Sequence, residues 1–166
     1  MIDKLQPNQV FVFGSNLAGR HGAGAAKQAR EQFGAVYGVG EGIMRQSYAF
    51  PTLDRHFKRV PLQGLMASRD RLYSCCYDNP DKQFLLTKVG CGLAGYEESI
   101  MRELFSDSPP ANLVLPEDWR AALDQVLAQL AESRGPSCHG SGCEPDETGV
   151  QKDDVCSTCQ GEPYEA

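Results

Sequence analysis

Apolar positions along the chain fall into short runs of two kinds. Val10 to Phe13 is a β-branched and aromatic run stopped by Gly14, the pattern of a buried strand. The stretch "AGAAKQAREQF" then sets Ala26, Ala29 and Phe33 at helical spacing, and Gly34 supplies its stop. "AVYGVG" and "SYAFPTL" read as two more short strands, with Pro51 placing the second near its end or at an edge. Pro61 suits the first turn of a helix in which Leu62, Leu65, Met66, Leu72, Tyr73 and Cys76 recur at helical spacing, up to "DNP". "QFLLTKVG" reads as a strand, "EESIMRELF" as a helix and "NLVLP" as a strand. "EDWRAALDQVLAQLAES" is the longest helix, with Trp119, Leu123, Val126, Leu127 and Leu130 along its apolar stripe. Strands alternating with helices predict an α/β fold: a mostly parallel sheet covered on both faces. In such folds ligands bind beyond the carboxyl ends of the strands.

The apolar pattern stops at Gly135 and Pro136, which break the last helix; beyond them only Val150, Val155 and Tyr164 could feed a core. The reading is therefore a body of residues 1–134 and a tail of residues 135–166. Charge divides the chain at the same place. The net charge of -6 is carried by the tail, where seven acids face Lys152 alone, while the body balances. Neither part offers the concentrated basic face that duplex nucleic acid requires, so sequence-specific DNA binding is not expected. The first residues lack a basic start followed by an apolar stretch, and no run approaches the roughly 18 residues of a membrane span. The expectation is a cytoplasmic protein without a membrane partner.

The candidate chemistry sits in two loops. "GSNLAGRHGAG" lies between the first strand and a helix N-terminus, where unpaired backbone N–H groups and the positive end of the helix dipole favour phosphate. Its glycines have the spacing of a Walker A loop. Arg20 and His21, however, stand where that loop needs lysine and a hydroxyl, which excludes an ordinary NTPase. It is not G-x-G-x-x-G either, so a dinucleotide fold of the Rossmann kind is poorly supported. The competing reading is a glycine turn needed only for helix–sheet packing. "VGCGLAGYEE" repeats the arrangement after another predicted strand, and in a parallel sheet both loops would share one edge and could clamp an extended phosphate-bearing ligand. A third cluster, "GVGEG", either packs there or is a connector.

An asparagine ahead of "HGAGAAKQA" and the sequence "KVGCGLAGY", inside an alternating α/β chain, resemble the macro domain, the ADP-ribose-binding fold. "FGSNLAGRHGAGAA", "SYAFPTLD" and "VGCGLAGY" are most similar to a divergent macro-like group of bacterial and phage proteins; the resemblance covers roughly positions 10 to 119. It implies a three-layer α/β/α macro-like fold. It also implies a first loop near the distal ribose (Asn16, Gly22, Ala23, Gly24) and a second around the diphosphate (Gly90, Cys91, Gly92, Leu93, Ala94, Gly95). The "GCGL" loop is similar to that of hydrolases that remove ADP-ribose from carboxylates, but the aspartate that follows the leucine there is Ala94 here. The early aspartate that holds adenine in many macro domains has no match, as Asp3 precedes the first strand. Gly14, Ser15, Ala25, Lys88 and Tyr96 complete the expected ligand-binding set.

Three residues are candidates for catalysis. Asn16 and His21 lie in the first loop, the imidazole able to act as acid or base near neutral pH. Asp54 follows the strand "SYAFPT" at the ligand edge, where it could orient water or bind a ribose hydroxyl. The competing roles are a hydrogen-bonding histidine and a turn or capping aspartate. Lys88 could pair with phosphate or be a solvated edge group. Cys91 could be a nucleophile at a helix N-terminus or a small buried residue between glycines.

The tail reads as a separate device. Cys138 and Cys143, then Cys156 and Cys159 after twelve residues, form two cysteine pairs of the kind that builds a four-thiolate structural Zn2+ site. A zinc-knuckle-like module is one reading and a disordered acidic tail the other; His139 is an alternative ligand. No organic cofactor is expected. The functional expectation is an ADP-ribose-type nucleotide, free or on an ADP-ribosylated target, bound between the glycine loops, with hydrolysis of an ADP-ribosyl linkage as a further step. The alternatives are a non-catalytic nucleotide sensor or sequestering protein of a phage or bacterial defence context, and a scaffold whose zinc tail contacts a protein partner.

Overall fold

A computed structural model describes residues 2–133. The elements follow the order β1 (Gln9–Asn16), α1 (Gly24–Gln32), β2 (Gly42–Met44), β3 (Ser47–Leu53), α2 (Leu62–Asp78), β4 (Gln83–Leu86), α3 (Glu98–Leu104), β5 (Leu113–Val114) and α4 (Glu117–Ser133). Residues 2–124 form one compact unit. The expected zinc ligands Cys138, Cys143, Cys156 and Cys159 lie outside the described residues.

The five strands form one sheet in the order β2-β3-β1-β4-β5, parallel except for β2. The two sides of β1 explain the layering, because alternate residues of a strand face opposite ways. Phe11 and Phe13 join Ala26, Ala29 and Phe33 of the α1 region. Val10 and Val12 join Leu65, Leu72 and Cys76 of α2, Met101 and Leu104 of α3, and Trp119. Helices thus cover both faces, as the alternation of elements requires. No helix among the described residues is long and apolar enough to cross a membrane.

One expected strand is absent. "AVYGVG" forms no strand, and the edge position is taken by the three residues of β2. Val36 and Tyr37 are exposed and Gly38 takes φ +93°, so this run has neither a buried face nor continuous extended backbone. Pro51 sits inside β3, opposite Ser15 of β1. β2 pairs only as far as Ala49, so the donor that proline lacks is not needed on that side.

β1 is central, and the chain leaves it in opposite directions: first to β3, then through α2 to β4 on the other flank. The carboxyl ends of β1, β3 and β4 consequently open side by side at a topological switch point, the position where α/β sheets hold ligands.

Candidate functional site

A cavity of about 660 Å³ lies at this edge. Its walls come from three segments, each following one of the three parallel strands. The first is the end of β1 with the N-terminus of α1: Gly14, Ser15, Asn16 and Arg20, then Gly22 through Ala26. The second is Thr52, Leu53 and Phe57 after β3. The third follows β4: Thr87 through Gly90, then Gly92, Leu93 and Ala94. No carboxylate lines the cavity, and its two charged residues, Arg20 and Lys88, are both cations. Helix α1 carries no acid in its first turn and no side-chain cap at Ala23, so its leading amides are left to whatever enters.

The first loop is braced by its own side chains. The Asn16 amide accepts from the Arg20 backbone N–H (3.0 Å) and donates to the Arg20 carbonyl (2.8 Å), closing a bracket around four residues. Gly19, at φ +66°, is packed so closely against Gly38 that a Cβ would collide with its backbone, and Gly38 N–H donates to the Gly19 carbonyl. The "GVGEG" cluster therefore packs against this loop. His21 is fully buried, 3.3 Å from the Ser15 hydroxyl through Nε2 and edge-on to the Phe13 ring. Burial, with the charge of Arg30 adding to it, holds its pKa below the ordinary 6.5.

The second loop is braced from outside. Arg59 Nε donates to the Ala94 carbonyl (2.8 Å), with its guanidinium over the Tyr96 ring. The Tyr96 hydroxyl donates to the Val60 carbonyl (2.6 Å), with the Thr52 carbonyl at 3.0 Å. Gly90 takes φ +78° with Tyr96 against it, a position that only glycine fills without strain. Lys88 is held by Asp118 (2.7 Å) and Glu98 (2.8 Å), and Glu98 also accepts from the Trp119 indole N–H (2.8 Å). Those two carboxylates raise the Lys88 pKa, and the lysine lowers theirs.

Most of the expected ligand-binding set lines this cavity: Gly14, Ser15, Asn16 and the Gly22–Ala25 run, then Lys88, Gly90, Gly92, Leu93 and Ala94. Cys91, Gly95 and Tyr96 do not. Cys91 Sγ turns to the Val89 carbonyl, and burial raises its pKa, which opposes a thiolate. Of the three residues named for catalysis, only Asn16 reaches the cavity wall. Asp54 closes its own turn, its carboxylate accepting from the His56 (2.7 Å) and Lys58 (2.9 Å) amides, bonds that lower its pKa. Arg20, Thr52, Phe57 and Thr87 were not among the expected residues. The signal for Phe57 was there to be read: a lone aromatic among the charges of "RHFKR".

Among the described residues no group of three or more His, Cys, Asp or Glu is placed to hold a metal. No protein-family model matches this sequence, and no curated protein matches it either.

Proposed function

We propose that the cavity binds the diphosphate of ADP-ribose or a related NAD-derived nucleotide, in the manner of the macro-like proteins this chain resembles. The observation that carries the reading is the lining itself. Two glycine segments and the uncapped N-terminus of α1 surround a space walled by two cations and no acid, at the switch point of a parallel sheet. Backbone amides and a helix N-terminus stabilise phosphate without any particular side chain. A volume of about 660 Å³ is within the range of nucleotide-sized ligand sites.

Binding without turnover is the form of this reading that the residues favour over hydrolysis. Asn16 brackets Arg20, His21 is sealed beneath the loop, and the Asp54 carboxylate is occupied by its own turn. A general base has to reach the water it activates, and no carboxylate lines the cavity. The protein accordingly senses or sequesters the nucleotide. Calorimetric titration of the full chain with ADP-ribose, followed by chromatography of the recovered ligand, tests this: saturable binding with intact ligand is expected. Absence of heat would remove the nucleotide reading, and released product would replace the sensor with an enzyme.

A further inference from the structure

The cavity holds two cations, and they are not equivalent. Lys88 is neutralised by Asp118 and Glu98. Arg20 forms no ion pair among the described residues, and its position is nonetheless fixed twice over. Its backbone N–H and carbonyl are both held by the Asn16 amide, and its guanidinium lies 5.6 Å over the ring of Phe57. Phe57 is itself unusual. It is 47% exposed and sits at φ +60°, a left-handed conformation that bulky side chains rarely adopt. The turn that imposes this is closed by Asp54, which accepts from the His56 and Lys58 amides through its carboxylate and from Phe57 N–H through its carbonyl. Strain of this kind persists where the surrounding structure over-determines it, and it concentrates at ligand sites. Here it brings an aromatic face to the cavity wall, under the one of the cavity's two cations that has no carboxylate partner among the described residues.

We propose that Arg20 is the side chain that recognises the ligand's phosphate and that Phe57 is a positioning residue, present to hold the guanidinium over the first loop before the ligand arrives. The proposal rests on the reading of the cavity as a nucleotide site and assigns it a side-chain determinant, Arg20 of the first loop, positioned by a residue outside both glycine loops. A guanidinium offers a planar fork of donors to phosphate oxygens. An unanchored arginine would have to give up its rotamer freedom on binding, whereas one already stacked on a ring has given up much of it beforehand. The ligand class is a nucleoside diphosphate derivative whose phosphates reach the α1 N-terminus.

The test is calorimetric titration of the full chain with ADP-ribose and, separately, with inorganic pyrophosphate, in wild type, Arg20→Ala, Phe57→Leu and the double variant. Asn16 grips Arg20 through its backbone, so Arg20→Ala leaves that bracket in place. Arg20→Ala is expected to weaken both ligands by about ten-fold or more, the worth of a hydrogen bond to a charged group. Phe57→Leu is expected to weaken them by roughly three- to ten-fold when Arg20 is present and not at all in the Arg20→Ala background. Phe57→Gly separates positioning from strain: glycine takes the left-handed φ without cost, so this variant stays folded, with a cooperative melt, while binding more weakly. Wild-type affinity in Arg20→Ala would overturn the assignment and leave the cavity reading standing. Equal losses from Phe57→Leu in both backgrounds would overturn the positioning role. Binding of pyrophosphate but not ADP-ribose, lost in Arg20→Ala, would support Arg20 and remove the nucleotide. If wild type bound neither ligand, both readings would fall.

Discussion

The two glycine loops face one cavity and are stabilised in contrasting ways. In the first, side chains of the loop brace its own backbone: Asn16 brackets Arg20, and His21 packs beneath next to Ser15. In the second, support comes from neighbouring segments, through Arg59 on the Ala94 carbonyl and Tyr96 against Thr52 and Val60. The consequence lies in the charges. The second loop's cation, Lys88, is consumed by two carboxylates, while the first loop's Arg20 is left facing the cavity. Polar residues embedded in a glycine loop can thus be scaffolding, with its backbone amides and one cation left at the cavity.

This contrast can be broken at either loop, and the largest effect is expected at the self-braced one. Asn16→Ala removes both bonds to Arg20 and leaves two backbone groups without their partner. It should lower stability by about 2–3 kcal/mol, whereas Tyr96→Phe in the second loop should lower it by about 1 kcal/mol. Urea unfolding of the two variants measures the difference, and equal losses would mean that the loops are braced alike.

His21 gives a pH-dependent effect of intermediate size. Its folded pKa is lowered below 6.5, so between the two values the unfolded chain binds a proton that the folded chain does not. Stability therefore falls as pH drops below about 6.5, and is fully retained above it. The depressed carboxylates Asp54, Glu98 and Asp118 act the same way only near and below their ordinary values of about 4. Urea midpoints at pH 7.5 and pH 5.5 should separate for wild type and converge for His21→Gln.

The smallest effect belongs to Lys88. Its ion pairs with Asp118 and Glu98 lie at the surface, where solvent screening leaves such pairs little weight in stability. Lys88→Met should leave the urea midpoint close to that of wild type. It should also move ADP-ribose affinity far less than Arg20→Ala does. The reverse ranking would make Lys88 the phosphate cation, as the sequence suggested.

The fold was largely legible because it is written in periodicity. The Val10–Phe13 run, the Ala26, Ala29 and Phe33 spacing and the buried Trp119 each report one face of one element, and each is where the pattern put it. "AVYGVG" misled because a β-branched and aromatic run resembles a strand whether or not its side chains find a core. The glycine loops were legible as cavity walls, since glycine and strand–helix alternation are local signals. The third wall was not. Phe57 reaches the cavity through a turn closed by backbone amides on Asp54, and Arg20 is selected over Lys88 only because Asp118 and Glu98, remote in sequence, occupy the lysine. Such long-range partnerships leave no periodic trace.

Binding of the diphosphate by the amides of the two glycine segments can be read residue by residue in amide-resolved NMR of the full chain titrated with ADP-ribose. The largest shifts are expected at Gly22 through Ala26 and at Gly90 through Ala94. Saturable shifts confined to other amides, or none at all, would contradict this mode of binding.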